Sequence, residues 1–182
     1  MAADKDEKKE PWLNQLALTT VIFAVCATLS SFRGSSYSTR AVLSQTQAAN
    51  QWAYFQSKSI KGYLYELQQQ ELDATAKANA GSLPASSLGI YSDLAARYEK
   101  EIARYDGEKA QIQEQARQLE SRRDHAQAHS KTFGMAVIFL QISILMSSVA
   151  ALVKRKPVWV LGVGVGCIGL VYFVLGLLPS AA

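Results

Sequence analysis

The chain has 182 residues, of which 49% are hydrophobic, and a formal net charge of +4 at pH 7. These averages resemble those of a soluble protein, but Asp, Glu, Lys and Arg are absent from residues 11–32, 132–153 and 157–182. Such segregation excludes a simple soluble domain and is typical of an all-α membrane protein. It predicts that the lipid bilayer, and not nucleic acid, is the main partner.

The chain opens with a charged N-terminal tail, residues 1–11, which carries four acids and three lysines. A first apolar span follows at residues 12–32, close to the roughly 20 residues that cross the hydrocarbon core as a helix. A secretory signal would have a basic flank and a shorter apolar region. We therefore predict an uncleaved transmembrane helix.

Residues 33–131 are predicted to form a long antiparallel coiled-coil hairpin between the first and second spans. Its turn falls at residues 78–89, where Gly81, Pro84 and Gly89 give a strong turn signal. In the second arm, apolar and aromatic residues recur every seven positions, which indicates a coiled coil. They are Tyr91, Tyr98, Tyr105, Ile112, Leu119, Ala126 and Phe133.

The first arm has a less regular apolar stripe, which we expect to face the second arm. Folding the chain back about Pro84 also sets Gly62 opposite Gly107, which predicts a close approach of the arms or a shared bend. The alternative is that each glycine is tolerated on the surface. The stripe consists of Leu43, Ile60, Leu64, Leu67 and Ala74.

Residues 51–66, with the sequence QWAYFQSKSIKGYLYE, form the densest aromatic stretch of the chain. Its aromatic side chains cannot all face one seam at 3.6 residues per turn, so some must face a second partner surface. We expect the aromatic residues to join subunits and the lysines to pair with acids on a facing arm. The predicted interface residues are Trp52, Tyr54, Phe55, Lys58, Lys61 and Tyr63.

The pattern W-x-Y-F-Q-x-K-S-I-K in this stretch, with Glu66 shortly after it, resembles the hallmark of a bacterial family of small membrane proteins catalogued as domain of unknown function 4337. The resemblance extends over the whole chain. It implies one anchor, a long helical insert and a terminal pair of spans, and it implies no activity. The motif is either the packing core of an oligomer or a binding site for a separate partner.

His125 and His129 are the only histidines, and their spacing puts both on one helical face, as a pair of metal ligands would require. A third ligand at matching spacing is missing, so we predict no metal site and a solvated face beside the membrane. Cys26 and Cys167 lie within spans, where they cannot pair with a histidine in a catalytic site. We therefore predict no enzyme and no cofactor.

The second span covers residues 133–153 and contains Gln141 near its middle, followed by Ser143, Ser147 and Ser148. A basic loop, residues 154–157, leads to the third span at residues 158–178. The simplest role of the polar side chains is hydrogen bonding between spans. Lining a hydrated pore is the alternative.

The third span contains a match to the G-x-G-x-x-G dinucleotide pattern at residues 164–169. That pattern needs a preceding strand and an acidic residue about 20 positions later, whereas no Asp or Glu follows Asp124. Four glycines of this span instead share one helical face, which predicts close packing of spans in lipid. The residues predicted to pack the spans are Gly162, Gly166, Gly169, Gly176 and Gln141.

The short basic loop and the lysines of the tail share one side of the membrane, and the positive-inside rule places that side in the cytoplasm. The hairpin side carries as many basic residues near the membrane, but long loops count less than short ones. We therefore expect a multi-pass protein of the bacterial inner membrane with a cytoplasmic N-terminus and a periplasmic hairpin.

Two classes of function remain. The first is a non-enzymatic homo-oligomeric scaffold, or an accessory subunit of a larger membrane complex, that assembles through coiled-coil stalks and glycine-packed spans. The second is an oligomeric pore or gated channel in which Gln141 and the neighbouring serines line the conduit. The spans contain no charged residue that could form an ion-selecting ring, which favours the scaffold.

Overall fold

The computed structural model describes residues 11–79 and 84–178, and this part of the chain contains three helices and no strand. Helix α1 covers Pro11–Ala78, α2 covers Ala85–Val153 and α3 covers Lys156–Leu177. All three are long and apolar enough to cross a membrane. The prediction of an all-helical chain with three candidate spans is therefore confirmed.

The first two candidate spans belong to much longer helices, since α1 has 68 residues and α2 has 69. Helix α2 begins at Ala85, directly after Pro84 and four residues before the end of the predicted turn. Proline is compatible with the start of a helix, where its missing N–H would have no intrahelical acceptor. Gly81 and the tail up to residue 10 lie outside the described residues.

Helix α2 ends at Val153, and a short turn connects it to α3. Lys154 has a φ of 52°, in the left-handed region. The N–H of Arg155 donates to the carbonyl oxygen of Ala150 at 3.3 Å. This bond and the left-handed residue together form a Schellman motif, which satisfies one of the free carbonyl groups at the helix end.

The chain divides into two compact units. The three-helix unit comprises Met1–Val42 and Arg123–Ala182, and therefore contains α3 with the adjoining parts of α1 and α2. The two-helix unit comprises Leu43–Arg122, in which the remainder of α1 packs against the remainder of α2.

Aromatic side chains lie at both ends of the three-helix unit. At one end the rings of Trp12 and Trp159 are 6.4 Å apart. At the other end the fully buried Phe133 lies 6.0 Å from the ring of Tyr37 and 6.3 Å from that of Phe173. Aromatic residues commonly mark the two boundaries of a span, where one side of the ring contacts lipid and the other is hydrated.

In the two-helix unit, the residues of α2 that the heptad pattern singled out are the ones that face α1. All of them are buried or half-buried, and Tyr105 and Ile112 are the most enclosed. The repeat is therefore visible in the structure as a continuous inward face. Its members within this unit are Tyr91, Tyr98, Tyr105, Ile112 and Leu119.

The apolar stripe predicted to face α2 from the first arm points outward instead, so that prediction is wrong. Leu43, Ile60, Leu64 and Leu67 are between 54% and 61% exposed, and Ala74 is exposed as well. The side of α1 that faces α2 carries a mixture of small, polar and aromatic residues. It includes Ala48, Trp52, Phe55, Ser59, Gly62 and Tyr65.

The two glycines of the arms do not face each other. Gly62 is buried, and a Cβ added there would lie 3.6 Å from the Cβ of Tyr105. Gly107 is exposed, and a Cβ added there would meet no atom within 4 Å. Gly62 therefore gives the Tyr105 ring room on the facing helix, whereas Gly107 is a tolerated surface glycine.

Candidate packing and interface sites

The glycine face of α3 lies at the centre of the three-helix unit. Gly162, Gly166, Gly169 and Gly176 are all buried. A Cβ added at Gly162 would lie 3.0 Å from the Cβ of Met146, and one added at Gly176 would lie 3.0 Å from the ring of Phe133. The four positions therefore let α3 approach α2 along its whole length.

Contacts are tightest at Gly166 and Gly169. A Cβ at Gly166 would overlap the ring of Phe23 and lie 2.7 Å from the Oγ of Ser143. A Cβ at Gly169 would lie 2.8 Å from the Cγ of Leu140. In contrast, Gly164 lies on the same helix with open space beside it. Side chains from both other helices thus occupy the volume that glycine leaves.

The serines of the second span are part of the same packed core. Ser143 and Ser147 are fully buried, and neither Oγ has a hydrogen-bond partner within the described residues. Gly162 lies against the carbonyl oxygen of Ser143, so small residues meet where α2 and α3 cross. Close packing at such a crossing is typical of helices in lipid.

Gln141 does not share this packing. Its side chain is exposed, and it makes no hydrogen bond within the part of the chain that the structure describes. Within one chain, Gln141 therefore does not help to pack the three helices. Its neighbours Leu140 and Ser143 face inward, and at 100° per residue Gln141 is turned away from them.

The two histidines have different surroundings. His129 stacks on Tyr37 with ring centroids 4.7 Å apart, and its Nδ1 lies 3.2 Å from the carbonyl oxygen of Gly176 near the end of α3. It thereby connects all three helices. His125 is exposed. Within residues 11–79 and 84–178, no group of three His, Cys, Asp or Glu side chains is placed to hold a metal ion.

In the two-helix unit, Lys58 lies at the centre of a cluster of charged and aromatic groups. Its Nζ is 2.5 Å from the Oε2 of Glu108 and lies over the rings of Tyr54 and Tyr105, at 5.3 and 5.4 Å from their centroids. Arg104 contacts the Tyr105 ring at 4.9 Å and Glu108 at 3.5 Å. Carboxylate and ring faces together surround the ammonium group with negative potential.

The ion pair shifts the pKa values of both partners. The hydrogen bond from Lys58 holds the pKa of Glu108 below its usual value, and the same bond raises the pKa of Lys58. Each partner therefore favours the charged form of the other. Lys61 is exposed and forms no ion pair in the described ranges, so the pairing expected for it with an acid on a facing arm is absent within one chain.

The aromatic residues of the motif divide between two surfaces. Trp52 and Phe55 are half-buried, with an edge-to-face contact at 5.6 Å, and the indole of Trp52 bonds to Glu120 of α2. Tyr54 and Tyr63 are exposed. Tyr65, which the sequence analysis did not select, stacks on Tyr105 at 5.7 Å.

The outward face of α1 was not predicted as one surface, because its aliphatic residues were expected to face α2, and Tyr54 and Tyr63 were expected to join subunits. Among the described residues of the two-helix unit, the exposed large hydrophobic side chains lie on α1 with the exception of Ile90. A signal was present, because α1 carries two apolar periodicities. The more hydrophobic one faces outward and not towards α2. The exposed side chains on α1 are Leu43, Tyr54, Ile60, Tyr63, Leu64 and Leu67.

Comparison with known protein families identifies the family of the chain. The family described as Domain of unknown function (DUF4337) matches residues 12–179, which is nearly the whole chain. The chain belongs to this family. The resemblance noted for the aromatic motif is thereby confirmed. No curated protein and no solved structure matches the chain.

Membership of DUF4337 implies no activity. Three features are available: the glycine core of the three-helix unit, the charged and aromatic contacts between α1 and α2, and the exposed stripe on α1. The first two features consist of contacts within one chain. In the third, the rings of Tyr54 and Tyr63 each contact a lysine of the same chain, whereas the aliphatic side chains are exposed.

Proposed function

We propose that the protein is a non-enzymatic homo-oligomeric membrane scaffold, or an accessory subunit of a larger membrane complex. The observation that carries the proposal is the apolar stripe on the outward face of α1. Contiguous exposed apolar surface outside a membrane usually marks an interface with another protein. An assembly of identical subunits would cover it.

The proposal includes an antiparallel coiled-coil hairpin formed by α1 and α2. Contacts between these helices support it, because residues further along α1 meet residues earlier in α2. Trp52 bonds to Glu120, Lys58 pairs with Glu108, and Tyr65 lies 5.8 Å from Tyr98. The seven-residue spacing of the inward face of α2 is also that of a coiled coil.

The stripe on α1 has the spacing of a second coiled-coil seam. Ala53, Ile60 and Leu67 recur every seven residues and are all exposed, and Tyr63 lies between the last two. The line of Ala53, Ile60 and Leu67 carries no charge, with the exposed Lys61 beside it, whereas the exposed residues of α2 are rich in Arg, Glu and Asp. Two copies can therefore bring this uncharged line together, with Lys61 at its edge.

We also propose a multi-pass location in the bacterial inner membrane, with the N-terminus in the cytoplasm and the hairpin in the periplasm. Three candidate spans and the aromatic residues at both ends of the three-helix unit support a membrane location. The basic residues of the turn between α2 and α3 support the orientation, since short basic loops are retained in the cytoplasm.

A pore remains the second function class, but no specific observation favours it. Ser143 and Ser147, which would line the conduit, lie against α3 in the interior of one chain. Gln141 is the exposed polar residue of this set that has no hydrogen-bond partner in the described structure. In an oligomer, one ring of Gln141 side chains in an otherwise apolar surface supports contact between helices better than a hydrated path.

Introducing charge into the stripe tests the scaffold. The double variant Ile60→Glu, Leu67→Glu should reduce the mass of the detergent-solubilised particle, measured by light scattering, while circular dichroism shows unchanged helix content. Ile90→Glu is the matched control, because it places the same charge at an exposed apolar site on α2. An intact oligomer in the double variant would exclude the stripe as the interface, and a wild-type monomer would exclude self-assembly.

A further inference from the structure

Gln141 has an exposed amide near the middle of a candidate span. It lies near the middle of residues 132–153, which contain no charged residue. Its side chain is exposed and finds no partner in the described chain. Hydrocarbon can neither donate to the carbonyl oxygen nor accept from the NH2 group, so the amide needs a partner from another molecule.

The exposed face around Gln141 has a regular pattern. Gly134, Gln141 and Ser148 recur every seven residues and are all exposed. Ile138, Leu145 and Leu152 form a second exposed line with the same period, offset by four. Alternating spacings of four and three residues define the seam of two helices that cross at a small left-handed angle.

Gly134 is not needed for packing within its own chain. A Cβ added there would meet no atom within 4 Å, whereas each of the four buried glycines of α3 lies against a neighbouring helix. Ser148 is similarly independent, since its hydroxyl donates to the carbonyl oxygen of Ile144 in its own helix at 3.0 Å. Small residues one repeat before and one repeat after the amide would let a second helix approach closely.

We propose that this face of α2, composed of Gly134, Ile138, Gln141, Leu145, Ser148 and Leu152, packs against the same face of a second copy of the chain. The inference rests on the proposed self-assembly and names a contact distinct from the stripe on α1. At its centre the two Gln141 amides hydrogen-bond to each other.

The chemistry of the amide selects a second copy as the occupant. A carboxamide has both a donor and an acceptor, so it is complementary to itself. Copies of one chain insert with the same orientation, and a two-fold axis along the membrane normal then brings each residue opposite its own equivalent at equal depth. The face carries no charge, so this pairing brings no like charges together.

Replacing the amide by an apolar side chain of similar size tests the contact. Full-length donor-labelled and acceptor-labelled copies are mixed in liposomes, and energy transfer is followed as lipid is added. Gln141→Leu should weaken association about 3- to 30-fold, the range expected for a hydrogen bond between helices in lipid. Thr28→Val is the matched control, because it also removes a polar group from an exposed position of a span, and should have no effect.

The outcomes separate this inference from the proposed function. If wild-type copies associate and Gln141→Leu associates equally well, the contact is overturned while self-assembly stands. If wild-type copies do not associate, both are overturned. In a background with Cys26→Ala and Cys167→Ala, Leu145→Cys should also cross-link two copies, whereas Val171→Cys on α3 should not. Cross-linking of Leu145→Cys to a different protein would overturn the choice of a second copy.

Discussion

The indole Nε1 of Trp52 donates a hydrogen bond of 2.9 Å to the Oε1 of Glu120, which lies 68 residues further along the chain. The first residue of the aromatic motif is thus engaged in contact between α1 and α2 of one chain. Its ring also meets Phe55 edge to face. Changes at Trp52 should consequently alter the stability of the two-helix unit before they alter assembly.

Trp52→Phe should lower the free energy of unfolding by about 1 kcal/mol, because it keeps a ring but removes the donor to a carboxylate. The measurement is thermal unfolding followed by circular dichroism in detergent. Glu120→Gln keeps an acceptor oxygen and should cost less. Equal stability of Trp52→Phe and the wild type would show that the bond contributes nothing.

Gly166→Ala should destabilise the three-helix unit by about 1–3 kcal/mol, the usual cost of forcing a methyl group into a packed core. The added Cβ would overlap the ring of Phe23. Gly164→Ala is the control on the same helix, and it meets open space. The two variants are compared by their unfolding midpoints in a mild detergent. Equal loss in both variants would point to an effect of α3 itself and not of its packing.

The Lys58–Glu108 pair should stabilise the two-helix unit over a broad range of pH. Since the pKa of Glu108 is held below its usual 4.5, its contribution is complete above that pH and is lost as the pH falls through the lowered value. Since the pKa of Lys58 is raised above 10.5, its contribution is complete below that pH and is lost as the pH rises through the raised value.

Glu108→Gln isolates this effect. The difference in melting temperature between wild type and variant should be constant from about pH 5 to pH 9 and shrink below pH 4.5, where the carboxylate becomes protonated. Other carboxyl groups titrate in both proteins and cancel in the difference. A difference that persists unchanged to pH 2 would mean that the contact does not depend on charge.

His129→Phe should loosen the end of α3. The variant keeps a ring to stack on Tyr37 but loses the bond to the carbonyl oxygen of Gly176. Amide hydrogen exchange of residues 170–177 should become faster, because the last turn loses its contact with α2. His125→Phe is the matched control at an exposed position. Equal exchange rates in the two variants would show that His129 does not hold the end of α3.

The orientation of the hairpin can be checked from outside the cell. Gln70→Cys, at an exposed position of the two-helix unit, should react in intact cells with a thiol reagent that cannot cross the inner membrane. The background carries Cys26→Ala and Cys167→Ala. Labelling that occurs only after lysis would place the hairpin in the cytoplasm and reverse the proposed topology.

The inward face of α2 could be predicted from the sequence, whereas that of α1 could not, for a physical reason. On α2 the inward positions are large and regular, from Tyr91 to Leu119, so period alone identifies them. On α1 the inward positions include Gly62 and Lys58, because the rings of α2 need space and Glu108 needs a cation. The most hydrophobic stripe was therefore mistaken for the inner one.

The spans show the same contrast. The glycines of α3 could be placed because small residues on one face have a single common use in lipid. Gln141 could not, since a polar residue in a span satisfies its hydrogen bonds equally well within one chain or between chains. The histidines share a helical face by spacing, but only His129 is next to Tyr37 and Gly176, and that depends on contacts from other helices.

Lys154 occupies the left-handed position that ends α2. Glycine is usual there, because an L side chain costs about 1 kcal/mol in that conformation. Lys154→Gly would therefore favour the finished turn, yet it would remove one of three consecutive positive charges from the loop. In a chain inserted as we propose, those charges act while the spans are still entering the bilayer. Membrane insertion thus favours lysine at this position, whereas the stability of the folded turn favours glycine.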